Sequence, residues 1–132
     1  MCSASTRQPI ESPLILIVDD SEDGRTICAE YLAFHGFRVA LAEDGQQALD
    51  FVRNQVPDLI VMDLGMPVLG GIEAARRLRS AAGTAGIPLI ALTAYTSRDT
   101  RAEALAAGFD LVLTKPCQPA DLESEIRRIL NA

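Results

Sequence analysis

Apolar and polar positions along the chain alternate between two periods. Five short runs, "PLILIVDD" from Pro13, "FRVALA" from Phe37, "PDLIVMD" from Pro57, "IPLIALT" from Ile87 and "DLVLTKP" from Asp110, are apolar and rich in β-branched residues. They read as buried strands, the first stopping at Val18 or Asp19. Each is followed by a stretch with helical spacing. Ser21 to His35 carries Ile27, Cys28, Tyr31 and Leu32 as an apolar stripe, with Asp20 or Ser21 as cap and Gly36 as stop. "EDGQQALDFVRNQ" turns Ala48, Leu49 and Val52 inward, and its "EDG" reads as turn and cap. Gly70 and Gly71 open a third helix running to about Ala82, "SRDTRAEALAAG" is a fourth stopped by Gly108, and "PADLESEIRRILN" is a fifth with Pro119 in its first turn. Gly24, inside the first helix, is a weak point worth about 1 kcal/mol against Ala.

Strands alternating with helices in this way predict parallel strands joined by right-handed crossovers, a doubly wound α/β sheet. In such sheets the working crevice lies outside the carboxyl ends of the strands. Asp19 and Asp20 end the first strand, Asp63 the third, Thr93 the fourth and Lys115 the fifth. Three carboxylates, a hydroxyl and an ammonium are thereby directed to one edge.

Composition narrows the function classes. A chain of 132 residues is long enough for one domain with its own core. Residues 1–12 read as a flexible polar tail and 13–132 as the domain. The net charge of −6 argues against a phosphate-binding basic surface, so no nucleic-acid partner is expected. Cysteines at 2, 28 and 117 form no C-x-x-C pair, which fits a reduced cytoplasm and neither a disulfide framework nor a zinc site; Cys2 and Cys117 read as incidental. No apolar run approaches the roughly 20 residues of a membrane span, and the first residues have no signal-peptide character.

Carboxylates crowded together disfavour one another's charged form, so positive charge is expected among them. Lys115 supplies part of it. A divalent cation bound by oxygen suits the rest, and magnesium fits because it takes one or two carboxylates and leaves room for a phosphoryl oxygen. The single histidine, His35, falls near the end of the first helix, where it reads as a surface or packing residue. Such a set can move a phosphoryl group onto an aspartate, with Lys115 and Thr93 meeting the phosphoryl oxygens. No G-x-x-x-x-G-K-[ST] loop is present, so the phosphate should arrive already activated rather than on a bound nucleotide.

The acidic pair in "LIVDD", the aspartate in "LIVMDLGMP", the threonine in "IALTA" and the lysine-proline in "LTKP" together resemble the receiver domain of two-component response regulators, from about Leu14 to Leu130. The resemblance implies a flavodoxin-like sheet of order 2-1-3-4-5 with Asp63 as phosphoacceptor. It further implies magnesium on Asp19, Asp20, Asp63 and the carbonyl of Gly65, phosphoryl contacts from Thr93 and Lys115, and a cis bond before Pro116. Its implied partners are a sensor histidine kinase or histidine phosphotransfer protein and a downstream protein target, in a monomer or weak dimer that is not an enzyme with turnover.

Three positions depart from that family's usual pattern. Val112 stands where an aromatic switch is common, Gly70 replaces an acid that would cap the third helix, and Gly65 has no side chain to shield a phosphoryl group. Signal output is therefore expected through Thr93, Ala94 and Tyr95, with Tyr95 as the moving ring. Two rivals remain open: a haloacid-dehalogenase-like phosphatase, which needs D-x-D where this chain has Asp63-Leu64-Gly65, and a receiver-fold scaffold that is never phosphorylated. Because the chain ends at Ala132, directly after the fifth helix, a stand-alone receiver signalling by protein contact is the expectation.

Overall fold

The computed structural model describes residues 12–66, 68–94 and 97–131. Its strands are β1 (Leu14–Val18), β2 (Arg38–Ala42), β3 (Leu59–Asp63), β4 (Leu89–Thr93) and β5 (Leu111–Thr114), each pair parallel, in the order β2-β1-β3-β4-β5. The helices are α1 (Glu22–Phe34), α2 (Gly45–Asn54), α3 (Gly71–Ser80), α4 (Arg98–Ala107) and α5 (Pro119–Leu130). Both the doubly wound fold and the strand order expected from the sequence are observed.

All residues of β1, β3 and β4 are buried because helices cover both faces of the sheet. Alternate side chains point to opposite layers. Ile15, Ile17, Leu59, Val61, Ile90 and Leu92 pack with Leu32 of α1 and with Leu122 and Ile126 of α5. Leu16, Val18, Ile60, Met62, Leu89, Ala91 and Val112 pack on the other side with α2, α3 and α4. Each fully buried aliphatic side chain contributes on the order of 1.5–3 kcal/mol.

Helix ends follow the local chemistry closely. Ser21, Asp44 and Ser97 each accept a backbone N–H as N-caps, whereas Gly70 caps α3 with no side chain at all. Gly36 and Gly108 adopt φ of 99° and 119°, the left-handed geometry that ends a helix. Corrections are confined to boundaries and to one face. The third helix stops at Ser80 rather than near Ala82, because the Thr84 hydroxyl donates to the Leu78 carbonyl at 2.6 Å and turns the chain away. Ile27, placed in the stripe of α1, is 58% exposed. At about 100° per residue it is rotated off the face that Cys28 and Leu32 turn to the sheet.

Val68, in the loop before α3, has a φ of 67° and is 82% exposed. A β-branched residue pays on the order of 1–2 kcal/mol for left-handed backbone, and Asn tolerates it better. Val68→Asn is expected to raise stability by about 1 kcal/mol in urea unfolding, with no loss of burial to offset it.

Candidate functional site

Strand register assembles the site. Val18 pairs with Met62, so Asp19 and Asp63 each lie one residue beyond a paired position on neighbouring strands. Asp63 pairs with Leu92 and Thr93 with Thr114, which puts Thr93 beside Asp63 and Lys115 just past the end of β5. The Lys115 N–H donates to the Thr93 carbonyl at 2.8 Å, fixing that exit. Asp19, Asp63 and Thr93 are buried polar residues at 6%, 8% and 3% exposure, in a layer that is otherwise apolar.

Asp19, Asp20 and Asp63 each present a carboxylate oxygen within 4.8 Å of the others, with Asp20 exposed and the other two buried. The Lys115 ammonium donates to Asp63 Oδ2 at 2.9 Å and lies 3.4 Å from Asp19 Oδ2. Asp63 Oδ1 accepts the Gly65 N–H at 3.0 Å, and Asp19 Oδ1 the Ser21 N–H at 2.9 Å. Partial burial acts to lower the pKa of Lys115, but hydrogen bonding and charge from Asp63, then from Asp19, outweigh it and leave it above the ordinary 10.5. A raised folded-state value means that this pair stabilises fully below 10.5 and that the contribution disappears as pH rises through the folded value. The stability difference between the metal-free protein and Lys115→Met should thus stay constant across the neutral range and shrink only in alkali. It should be modest, since Lys115 is 32% exposed.

Glycines set how closely the backbone approaches. A Cβ on Gly71 would sit 2.7 Å from the Asp63 carbonyl oxygen, and one on Gly24 would sit 3.1 Å from Asp19 Oδ2. Gly24, read from sequence as a defect in α1, therefore makes room for a site carboxylate. At Gly65 a Cβ would meet, among the described residues, Asp63 Oδ1 at 3.9 Å, which is ordinary contact distance.

A cavity of about 530 Å³ adjoins the site, lined by Asp19, Gly24, Ile27, Cys28, Lys115 and Cys117 among others. Burial pushes both thiols up, and Asp19 pushes Cys28 further, so they are neutral at ordinary pH. The bond before Pro116 is cis. Ala94 is exposed at the site's rim, Val112 is buried in the core, and Tyr95, the expected moving ring, lies outside the described residues. Sequence reasoning missed Arg25, whose guanidinium donates to the Asp19 carbonyl at 2.6 Å; its one-turn spacing from Ser21 was the available signal. His35 stacks on Tyr31, away from the carboxylates, in the packing role expected of it.

The family model of the response regulator receiver domain matches residues 15–127. This chain belongs to that family. The receiver is 40% identical over 117 residues to Response regulator MprA of Mycobacterium sp. strain KMS, an alignment covering 89% of this chain and 50% of the relative. It thus spans about half the length of the curated relatives it matches. Among solved structures it resembles the chemotaxis response regulator CheY4 of Vibrio cholerae, at 31% identity and a TM-score of 0.85 over 90% of this chain and 99% of that one. It also resembles the receiver domain of sensor histidine kinase PA1611 from Pseudomonas aeruginosa PAO1, at 34% identity and 0.85 over 92% and 100%. The latter was solved with a magnesium ion coordinated in its active-site cleft. Receivers of this family are signalling modules of two-component systems rather than classical enzymes. Among the described residues, no helix is long and apolar enough to cross a membrane.

Proposed function

We propose that the receiver, residues 13–132, accepts a phosphoryl group on Asp63 from a phosphohistidine of a sensor histidine kinase or histidine phosphotransfer protein. It then presents a changed surface to a downstream protein. The observation that carries this reading is the convergence of three carboxylates at the carboxyl edge of the sheet, two of them paired with one ammonium. An Asp63 carboxylate oxygen attacks phosphorus in line, the N–P bond breaks, and the electron pair leaves with the imidazole. Lys115 holds Asp63 in place and lies where negative charge arrives; Thr93, at the end of β4, is within the same edge to receive a phosphoryl oxygen.

The donor set fits a hard cation: oxygen ligands only, two buried carboxylates and one exposed, with one lysine among them. Asp19, Asp20, Asp63 and the Gly65 carbonyl would hold magnesium, which supplies positive charge against the phosphoryl oxygens when bound. Gly71 and Gly65 keep the backbone around Asp63 uncluttered. Output through Thr93 and the loop after it is favoured because Val112, buried and branched, has no ring to swing.

A small-molecule phosphodonor with magnesium tests this. One phosphoryl group per chain, labile to acid and base, is expected. Continuous phosphate release would instead indicate a phosphatase, and no labelling a scaffold.

A further inference from the structure

The acidic pair is held by more than its own side chains. Asp19 is fixed at its carboxylate by the Ser21 N–H and by Lys115. Asp20 is exposed at the rim. The peptide that joins it to Asp19 has its carbonyl oxygen accepting the Arg25 guanidinium at 2.6 Å. Arg25 itself is seated on the first turn of α1, where its N–H donates to the Ser21 carbonyl at 3.0 Å. Ser21 is also the N-cap, accepting Gly24 N–H at 3.2 Å. Cap, glycine and arginine thus form one short unit that grips the chain between the two aspartates. Gly24 is part of it because a side chain there would crowd Asp19 Oδ2.

We infer that Arg25 is a positioning residue for cation binding: its guanidinium clamps the Asp19–Asp20 peptide so that both carboxylates converge on one ion. This rests on the proposed magnesium-dependent function of the same site. Two physical effects of Arg25 oppose each other, which makes the inference testable by sign. As a positive charge near a divalent cation site, Arg25 repels the ion, so its removal should tighten binding if only the field matters. As a clamp, it holds ligands in place, and its removal should loosen binding, as losing support behind metal ligands does.

Magnesium is titrated into the full chain and followed by calorimetry, without any phosphodonor. Arg25→Met removes the donor and the charge while keeping an apolar stem of similar length, so the fold is retained. Magnesium affinity is expected to fall roughly tenfold. Arg79→Met, far from the site, serves as a destabilised control and should leave the affinity unchanged. Equal or tighter binding in Arg25→Met would overturn the inference, as would a fall of the same size in Arg79→Met, which would mark the effect as general loosening. Asp20→Ala separates this from the underlying reading: should it titrate like the wild type, the metal assignment itself fails, whatever Arg25 does.

Discussion

Asp63→Asn is expected to abolish phosphoryl labelling while the protein remains folded. Amide and carboxylate have nearly the same volume, and the Asn oxygen can still accept the Gly65 N–H that Asp63 Oδ1 accepts at 3.0 Å. Lys115 loses its 2.9 Å partner but stays within 3.4 Å of Asp19, so the site keeps a paired cation. What disappears is the nucleophile, since a neutral amide has no anionic oxygen to form the acyl phosphate. Intact-mass measurement after exposure to phosphodonor and magnesium should show one adduct on the wild type and none on the variant, with unchanged circular dichroism. Labelling of Asp63→Asn at wild-type stoichiometry would exclude Asp63 as acceptor.

The largest expected loss of stability lies at the opposite end of the sheet. Arg79, near the end of α3, donates through Nε and one terminal nitrogen to the Gly108 carbonyl at 3.0 and 2.7 Å. Its other terminal nitrogen reaches the carbonyls of Ala85 and Ile87 at 2.7 and 2.6 Å, and Asp110 Oδ2 completes the set at 3.1 Å. All five guanidinium donors are used. Asp110 in turn accepts the Leu89 N–H at 2.9 Å, so one side chain ties α3, the entry to β4 and the turn into β5. Gly108 is bound to this arrangement, because a Cβ there would fall 2.5 Å from Arg79 Cγ. Arg79→Ala should cost about 3 kcal/mol, discounted for partial exposure, and lower Tm by roughly 10 °C in a calorimetric scan. Arg79→Lys should recover little, since one ammonium cannot serve acceptors spread around a planar fork. Phosphoryl labelling should be unaffected in both, because the network sits at the amino ends of the strands. A Tm shift of only a degree or two would show the bonds to be replaceable by water.

Much of the candidate site was legible in the chain because strands that end in Asp19, Asp63, Thr93 and near Lys115 need only a parallel sheet to bring those residues to one edge. The register itself is not written in these strands, because β1, β3 and β4 are buried on both faces and show no alternation of buried and exposed positions. The uncapped start of α3 was also readable, since Gly70 has no side chain to offer. Gly24 shows where such reading fails: as a helix residue it is unfavourable, and its use appears only once Asp19 Oδ2 is known to lie where a Cβ would press on it. Ile27 fails for a related reason, because a stripe of apolar residues does not say which edge of it the sheet will cover.

The sequence by itself determined the elements, the unbroken apolar runs that bury β1, β3 and β4, and the identity of the groups delivered to the carboxyl edge. These depend on interactions within a few residues, where periodicity and hydrogen bonding to neighbouring backbone decide the outcome. Only the tertiary structure decided that Lys115 meets Asp63 across 52 residues and that Arg79 reaches Gly108 across 29. A long side chain has many rotamers, and nothing local selects among them. The selection is made by acceptors that distant segments place within its reach, and those positions exist only after the sheet has closed.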